Sequence, residues 1–194
     1  MVRMWLFSRH KAISDQVRNS LKSGILSPTL ANMTLDGLET AIKKSCPGRR
    51  KVNFIRYADD FIVTADSSEL IEENIIPAIK DFLKPGGLEL SEEKTRTVKI
   101  DEGFDFLGQH LQKYRNKLII APTKENLMSF LEKVCNIIRK CYGVKTCDMI
   151  KQLNAIIRGW AYYHRYVQSS RAFSIADKVI FRFTMALDKE ETPT

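Results

Sequence analysis

Apolar and polar positions alternate with period two along residues 52–65. Val52, Phe54 and Arg56 alternate with Asn53, Ile55 and Tyr57; beyond Ala58-Asp59-Asp60, Phe61, Val63 and Ala65 alternate with Ile62 and Thr64. β-branched and aromatic residues at this period predict two strands, and the short gap predicts a tight hairpin. Elsewhere the period is helical. Leu30, Met33, Leu38, Ala41 and Ile42 share one face and Asn32, Asp36, Glu39 and Lys43 another, with Ser27 as N-cap and Pro28 in the first turn. Ser67 opens a second helix with Leu70, Ile71, Asn74, Ile75, Ala78, Ile79 and Phe82 on its apolar side, and Pro85-Gly86-Gly87 stops it. Gln109 to Tyr114 and Lys117 to Ile120 read as strands around Arg115-Asn116.

The rest reads as helix. Thr123 caps a helix carrying Leu127, Phe130, Leu131, Val134, Ile137 and Ile138. Another starts near Thr146, with Ile150, Leu153, Ile156, Ile157, Trp160 and His164. A third starts near Arg171, with Phe173, Ile175, Ala176, Val179, Ile180, Phe183 and Leu187. Three amphipathic helices in succession predict a bundle. The fold class is therefore α+β, helices on a small antiparallel sheet followed by a helical bundle. Residues 1–20 carry no readable pattern, although Trp5, Leu6 and Phe7 are apolar enough to pack.

Charge changes this picture. The chain of 194 residues has a net charge of +8, which points to a polyanionic partner. Residues 121–194 hold 12 Lys/Arg against 7 Asp/Glu, so the shorter C-terminal part is the more basic per residue. A hydrophobic content of 44% argues for a packed core and against disorder. Cys46, Cys135, Cys141 and Cys147 have neither zinc-site nor disulfide-frame spacing and read as reduced thiols. The run Met1 to Phe7 is too short for a signal peptide and nothing approaches a membrane span, so the expectation is a cytoplasmic protein with no membrane partner.

Two stretches carry candidate chemistry. Asp59 and Asp60 sit side by side at the predicted hairpin tip, where like charges raise each other's proton affinity. A solvated Asp-Asp turn is the ordinary reading of such a pair. Its placement between apolar strands makes it a rigid platform, and a hard divalent cation relieves the repulsion; Mg²⁺ takes one or two carboxylates plus substrate phosphates. Further on, Arg158, Tyr162, Tyr163, Arg165 and Tyr166 interleave basic and aromatic side chains. Aromatics stack on bases and arginines hold phosphates, the alternative being half-buried tyrosines with their hydroxyls at the surface. Trp160 and His164 read as packing residues.

Tyr57-Ala58-Asp59-Asp60, preceded by Phe54-Ile55-Arg56, resembles the YxDD hairpin of reverse transcriptases in its group II intron-encoded form. Further blocks follow in the family's order. Gly24, Ser27, Pro28 and Asn32 match the PQGG-x-x-SP-x-L-x-N motif, whereas Leu21-Lys22-Ser23 depart from it. Leu88-Glu89-Leu90 and Lys94-Thr95 resemble GL-x-L-x-x-x-KT; Phe106-Leu107-Gly108 resembles the FLG turn; Arg158-Gly159-Trp160 with Tyr163 resembles the RGW-x-x-Y thumb, or maturase, signature.

The resemblance implies a partial right-hand polymerase: residues 1–23 unassigned, 24–120 the later palm, 121–194 the thumb and maturase region. It implies Asp59 as direct metal ligand supported by Asp60, with Mg²⁺ or Mn²⁺ as cofactor. Lys94 is placed near the leaving pyrophosphate. Gly24, Ser27, Pro28, Asn32, Tyr57 and Ala58 are placed on nucleotide and template, Phe106, Leu107 and Gly108 on the primer end, and Arg158, Tyr162, Tyr163 and Arg165 on RNA. The implied partners are intron RNA, an RNA/DNA template-primer and deoxynucleoside triphosphates. The fingers and an earlier palm strand with another metal-binding Asp have no counterpart in these blocks, so a separate N-terminal reverse transcriptase piece is a further expected partner. Two functions follow: an RNA-directed DNA polymerase, truncated and inactive alone, or a maturase remnant that binds RNA and assists splicing without polymerising. A pseudogene product is a third.

Overall fold

The computed structural model describes residues 4–11, 33–48, 50–58, 60–91, 95–140 and 146–191. The chain divides into two compact units, Met1–Glu102 and Gly103–Thr194. Mixed helix and antiparallel sheet confirm the α+β class.

The N-terminal unit is a five-stranded sheet with helices packed on it. Strand β1 is Met4–Lys11. The hairpin strands are β2, Asn53–Tyr57, and β3, Asp60–Ala65. Short strands β4, Glu89–Leu90, and β5, Arg96–Lys99, complete the sheet. The order is β2-β3-β1, with β4 and β5 both alongside the far edge of β1. So residues 1–20, which the sequence leaves without an element, contribute a central strand. Its apolar run Met4-Trp5-Leu6-Phe7 lacks the period-two alternation by which a half-buried strand is read from sequence. β3 is buried from Phe61 to Ala65, whereas edge strand β2 alternates.

The first predicted helix is interrupted. A helical turn at 33–34 ends at Gly37, whose φ is +89°, and helix α1 runs only over Leu38–Ser45. Glycine tolerates this left-handed conformation, and the kink re-aims the chain. Met33, expected on the apolar face, is 69% exposed, and Leu35 is buried in its place. Leu38 and Ile42 are buried as expected. The second helix begins as a π-type stretch, Leu70–Ile75, and continues as α2, Ile76–Leu83. Pro77 lacks an N–H and its ring crowds the carbonyl four residues back, which accounts for the widened turn before it. The Ser67 hydroxyl accepts the Leu70 N–H at 3.3 Å, so Ser67 is the cap the sequence predicts. A 3₁₀ turn at Lys84–Gly86 and left-handed Gly87 end the element. Leu38, Ile42, Phe61, Val63, Ile71, Ile75 and Ile79 form the centre of this unit's core.

The C-terminal unit opens with a meander: β6, Phe104–Phe106; β7, Gln109–Tyr114; β8, Lys117–Pro122. Arg115 and Asn116 both have positive φ, as a two-residue hairpin turn with the right twist requires. Helices α3, Lys124–Lys140, α4, Thr146–Tyr163, and α5, Ser170–Glu191, follow. Thr123 caps α3, its hydroxyl accepting the Asn126 N–H at 3.1 Å. Leu127, Phe130, Val134, Ile138, Leu153 and Ala176 build the bundle core. Ile150 and Ile175, expected in it, are 49% and 39% exposed.

Candidate nucleic-acid interface

The hairpin turn is built first. Tyr57 pairs with Asp60, so only two residues connect β2 and β3. Ala58 has φ +53°, the left-handed conformation that such loops require and that a non-glycine residue adopts only under constraint. Buried β3 on one side and the Phe54–Phe61 ring contact, 5.6 Å between centroids, fix the strands that hold the turn. Tyr57 is 64% exposed and Asp60 is half-buried at the start of β3. Asp59 lies outside the described residues. Among those described, no three His, Cys, Asp or Glu side chains converge as metal ligands.

Register brings a second predicted block to the same end of the sheet. Arg9 of β1 opposes Asp60. On the other edge of β1, Phe7 pairs with Arg96 and His10 with Leu90. Leu90 and Arg96, which bracket that block, are therefore both held on β1 toward the end where Arg9 opposes Asp60. The Ser91 carbonyl accepts the Thr95 N–H at 2.9 Å. Lys94 itself lies outside the described residues, as do Gly24, Ser27, Pro28 and Asn32.

In the C-terminal unit, Phe106 pairs with Gln109, so Leu107-Gly108 is another two-residue turn, with φ +50° and +74°. Side chains distant in sequence hold it. The Tyr163 hydroxyl donates to the Leu107 carbonyl at 2.6 Å. The Thr123 N–H donates to the Gly108 carbonyl at 3.0 Å. A Cβ on Gly108 would lie 2.6 Å from Asn126 Nδ2. Asn126 cannot retreat easily, because its Oδ1 accepts from Trp160 Nε1 at 2.7 Å and from His164 Nε2 at 2.9 Å. Trp160 in turn stacks on Phe130, 4.3 Å between centroids. His164 is fully buried, and that burial pushes its pKa below the usual imidazole value. The bond from Nε2 fixes the neutral tautomer, leaving Nδ1 unprotonated and buried without a partner.

Trp160 and His164 are thus packing and hydrogen-bonding residues, as the sequence indicates. Asn126 was not legible as a site residue. Its one signal is a carboxamide in the first turn of a helix already capped by Thr123.

The predicted RNA contacts divide. Arg158 is exposed and, among the described residues, pairs with no carboxylate. Tyr163, 50% exposed, has its hydroxyl committed to Leu107. Tyr162 and Tyr166 are 65% and 81% exposed and flank Arg165, whose guanidinium carbon lies 5.4 Å and 4.2 Å from their ring centroids.

Comparison with known proteins matches these two regions separately. The family model "Reverse transcriptase (RNA-dependent DNA polymerase)" covers residues 16–111 and "Group II intron, maturase-specific domain" covers 127–193. Maturase-like protein 1 of Euglena longa is 29% identical over 146 residues, which is 72% of this chain and 29% of that protein. Protein YkfC of Escherichia coli K12 is 32% identical over 85 residues, 42% of this chain and 22% of that protein. The chain thus spans less than a third of the length of these relatives. No described helix is long and apolar enough to cross a membrane. Reverse transcriptase and maturase matches in this order, on a YADD hairpin followed by an RGW helix, place the chain in the group II intron-encoded reverse transcriptase and maturase family.

Proposed function

We propose that this chain is a palm-and-thumb portion of a group II intron reverse transcriptase, acting in the cytoplasm on intron RNA and a template-primer, with the C-terminal unit as its RNA-holding part. The carrying observation is the short YADD turn leading into a buried strand, with Leu90 and Arg96, which bracket the Lys94 block, both paired to β1 toward the same end of the sheet. Asp59 and Asp60 are hard oxygen donors that suit Mg²⁺ or Mn²⁺, and the family match supports that use of them. A divalent ion there would activate a primer 3′-hydroxyl and steady pyrophosphate. The 3′-oxygen bonds to the α-phosphorus of a deoxynucleoside triphosphate, the α–β bridging bond breaks, pyrophosphate leaves, and the hydroxyl proton passes to solvent. Lys94 would neutralise that leaving group. Two carboxylates are few ligands for two metals, so a complementing segment that carries another Asp completes the centre in this reading.

The test is primer extension on an RNA template. The chain alone is expected to extend nothing; with a family N-terminal piece added in trans, extension appears and Asp59→Ala abolishes it. Extension by the chain alone that survives Asp59→Ala would overturn the assignment. The second reading, a maturase that binds intron RNA without polymerising, is favoured by the maturase-specific match and the maturase-like relative. It predicts faster intron splicing with no extension under either condition.

A further inference from the structure

Arg165 lies between two tyrosines at the end of α4 and the turn that follows. Its charge has no carboxylate partner among the described residues. From 139 to 171 the chain has seven Lys/Arg and one acidic residue, Asp148, which pairs with Lys151. An exposed aromatic–guanidinium–aromatic arrangement loses rotamer freedom when it binds. Here its base is anchored on three sides. The Tyr163 hydroxyl bonds to the Leu107 carbonyl, His164 is fully buried against Asn126, and the Gln168 N–H donates to the Ile120 carbonyl at 2.8 Å. Tyr162, Arg165 and Tyr166 are therefore presented outward from a fixed backbone support, which lowers the ordering entropy lost on binding.

We propose that Tyr162, Arg165 and Tyr166 form a stacking platform for an unpaired nucleobase, so that this face takes single-stranded or looped segments of its nucleic acid rather than regular duplex. This rests on the RNA-binding reading above. The outer face of a tyrosine ring accepts any base, and the guanidinium polarises the stack and draws the adjacent phosphate. A paired base offers no free face to it. Tyr163, with its hydroxyl turned to Leu107, is a positioning residue for the platform.

The test uses the full chain and 12-nucleotide RNA with a central 2-aminopurine, single-stranded or in a blunt duplex, and a single-stranded DNA analogue. Stacking should quench the 2-aminopurine in the single strand; quenching in RNA alone, or in RNA and DNA alike, supports the platform and tells whether the sugar is read. Tyr162→Ala and Tyr166→Ala should each weaken single-strand binding about 5- to 100-fold and leave duplex binding within about twofold. Tyr162→Trp and Tyr166→Phe should retain binding, and thermal melts should not move, because both rings are exposed. Arg158→Ala should weaken both probes. Absence of quenching, or equal losses on single strand and duplex, would overturn the platform while leaving RNA binding in place. Failure of the wild-type chain to bind either probe would overturn both.

Discussion

Two tight turns, the one that follows Tyr57 in the N-terminal unit and Leu107-Gly108 in the C-terminal unit, are held in different ways. Each closes an antiparallel pair with two residues, and each puts a non-glycine residue at positive φ. The strands behind Ala58 are secured by register and by a strand buried along five consecutive residues. The Leu107-Gly108 turn ends a short sheet whose strands are mostly half-buried, and it is secured by hydrogen bonds from Thr123 and Tyr163 and by the packing of Asn126. A strained turn needs a surrounding structure that over-determines it. In one unit a sheet core does that, and in the other the start of α3 and the end of the RGW helix do.

The largest test of this contrast is Phe61→Ala. Phe61 is fully buried in the N-terminal core, and its truncation should cost about 3–5 kcal/mol, read by chemical denaturation. A loss below about 1 kcal/mol would mean that β3 does not carry the hairpin. Next comes Asn126→Leu, which leaves the Trp160 and His164 donors without their acceptor and should cost about 2–4 kcal/mol in the C-terminal unit. Trp160 fluorescence in a Trp5→Phe background reads it; an unchanged midpoint would dissolve the clamp. Tyr163→Phe removes the bond to Leu107 and should cost about 0.5–1 kcal/mol at this half-exposed position. Faster amide exchange at residues 107–108 is its more specific sign.

Acid gives the smallest effect. His164 has a folded pKa below the ordinary 6.5, so the unfolded chain binds the extra proton first. Stability is therefore full above pH 6.5 and is lost as pH falls through that value toward the folded pKa. His164→Gln, which can still donate to Asn126, should flatten the dependence; an unchanged acid slope would show that His164 is not its source.

The hairpin, the Arg115-Asn116 turn, the Ser67 and Thr123 caps and the three C-terminal helices were legible because period, cap and turn chemistry are local. Strand β1 was not, because its run Met4 to Phe7 has no alternation to read and its partners lie more than fifty residues away. The break at Gly37 was missed because the spacing of Met33 and Leu38 fits one continuous helix equally well. At the candidate site, motifs identified the two turns, but Asn126 joins residues 34 and 38 positions apart from it, and no local pattern encodes that meeting.

The C-terminal unit is proposed to hold RNA through its basic and aromatic face. Affinity of the full chain for a structured intron RNA, measured across a salt series, tests it most directly. The logarithm of affinity should fall linearly and steeply with the logarithm of salt, and Arg158→Ala and Arg165→Ala should each reduce that slope by about 1 while weakening binding. An affinity insensitive to salt, or slopes unchanged in both variants, would contradict it.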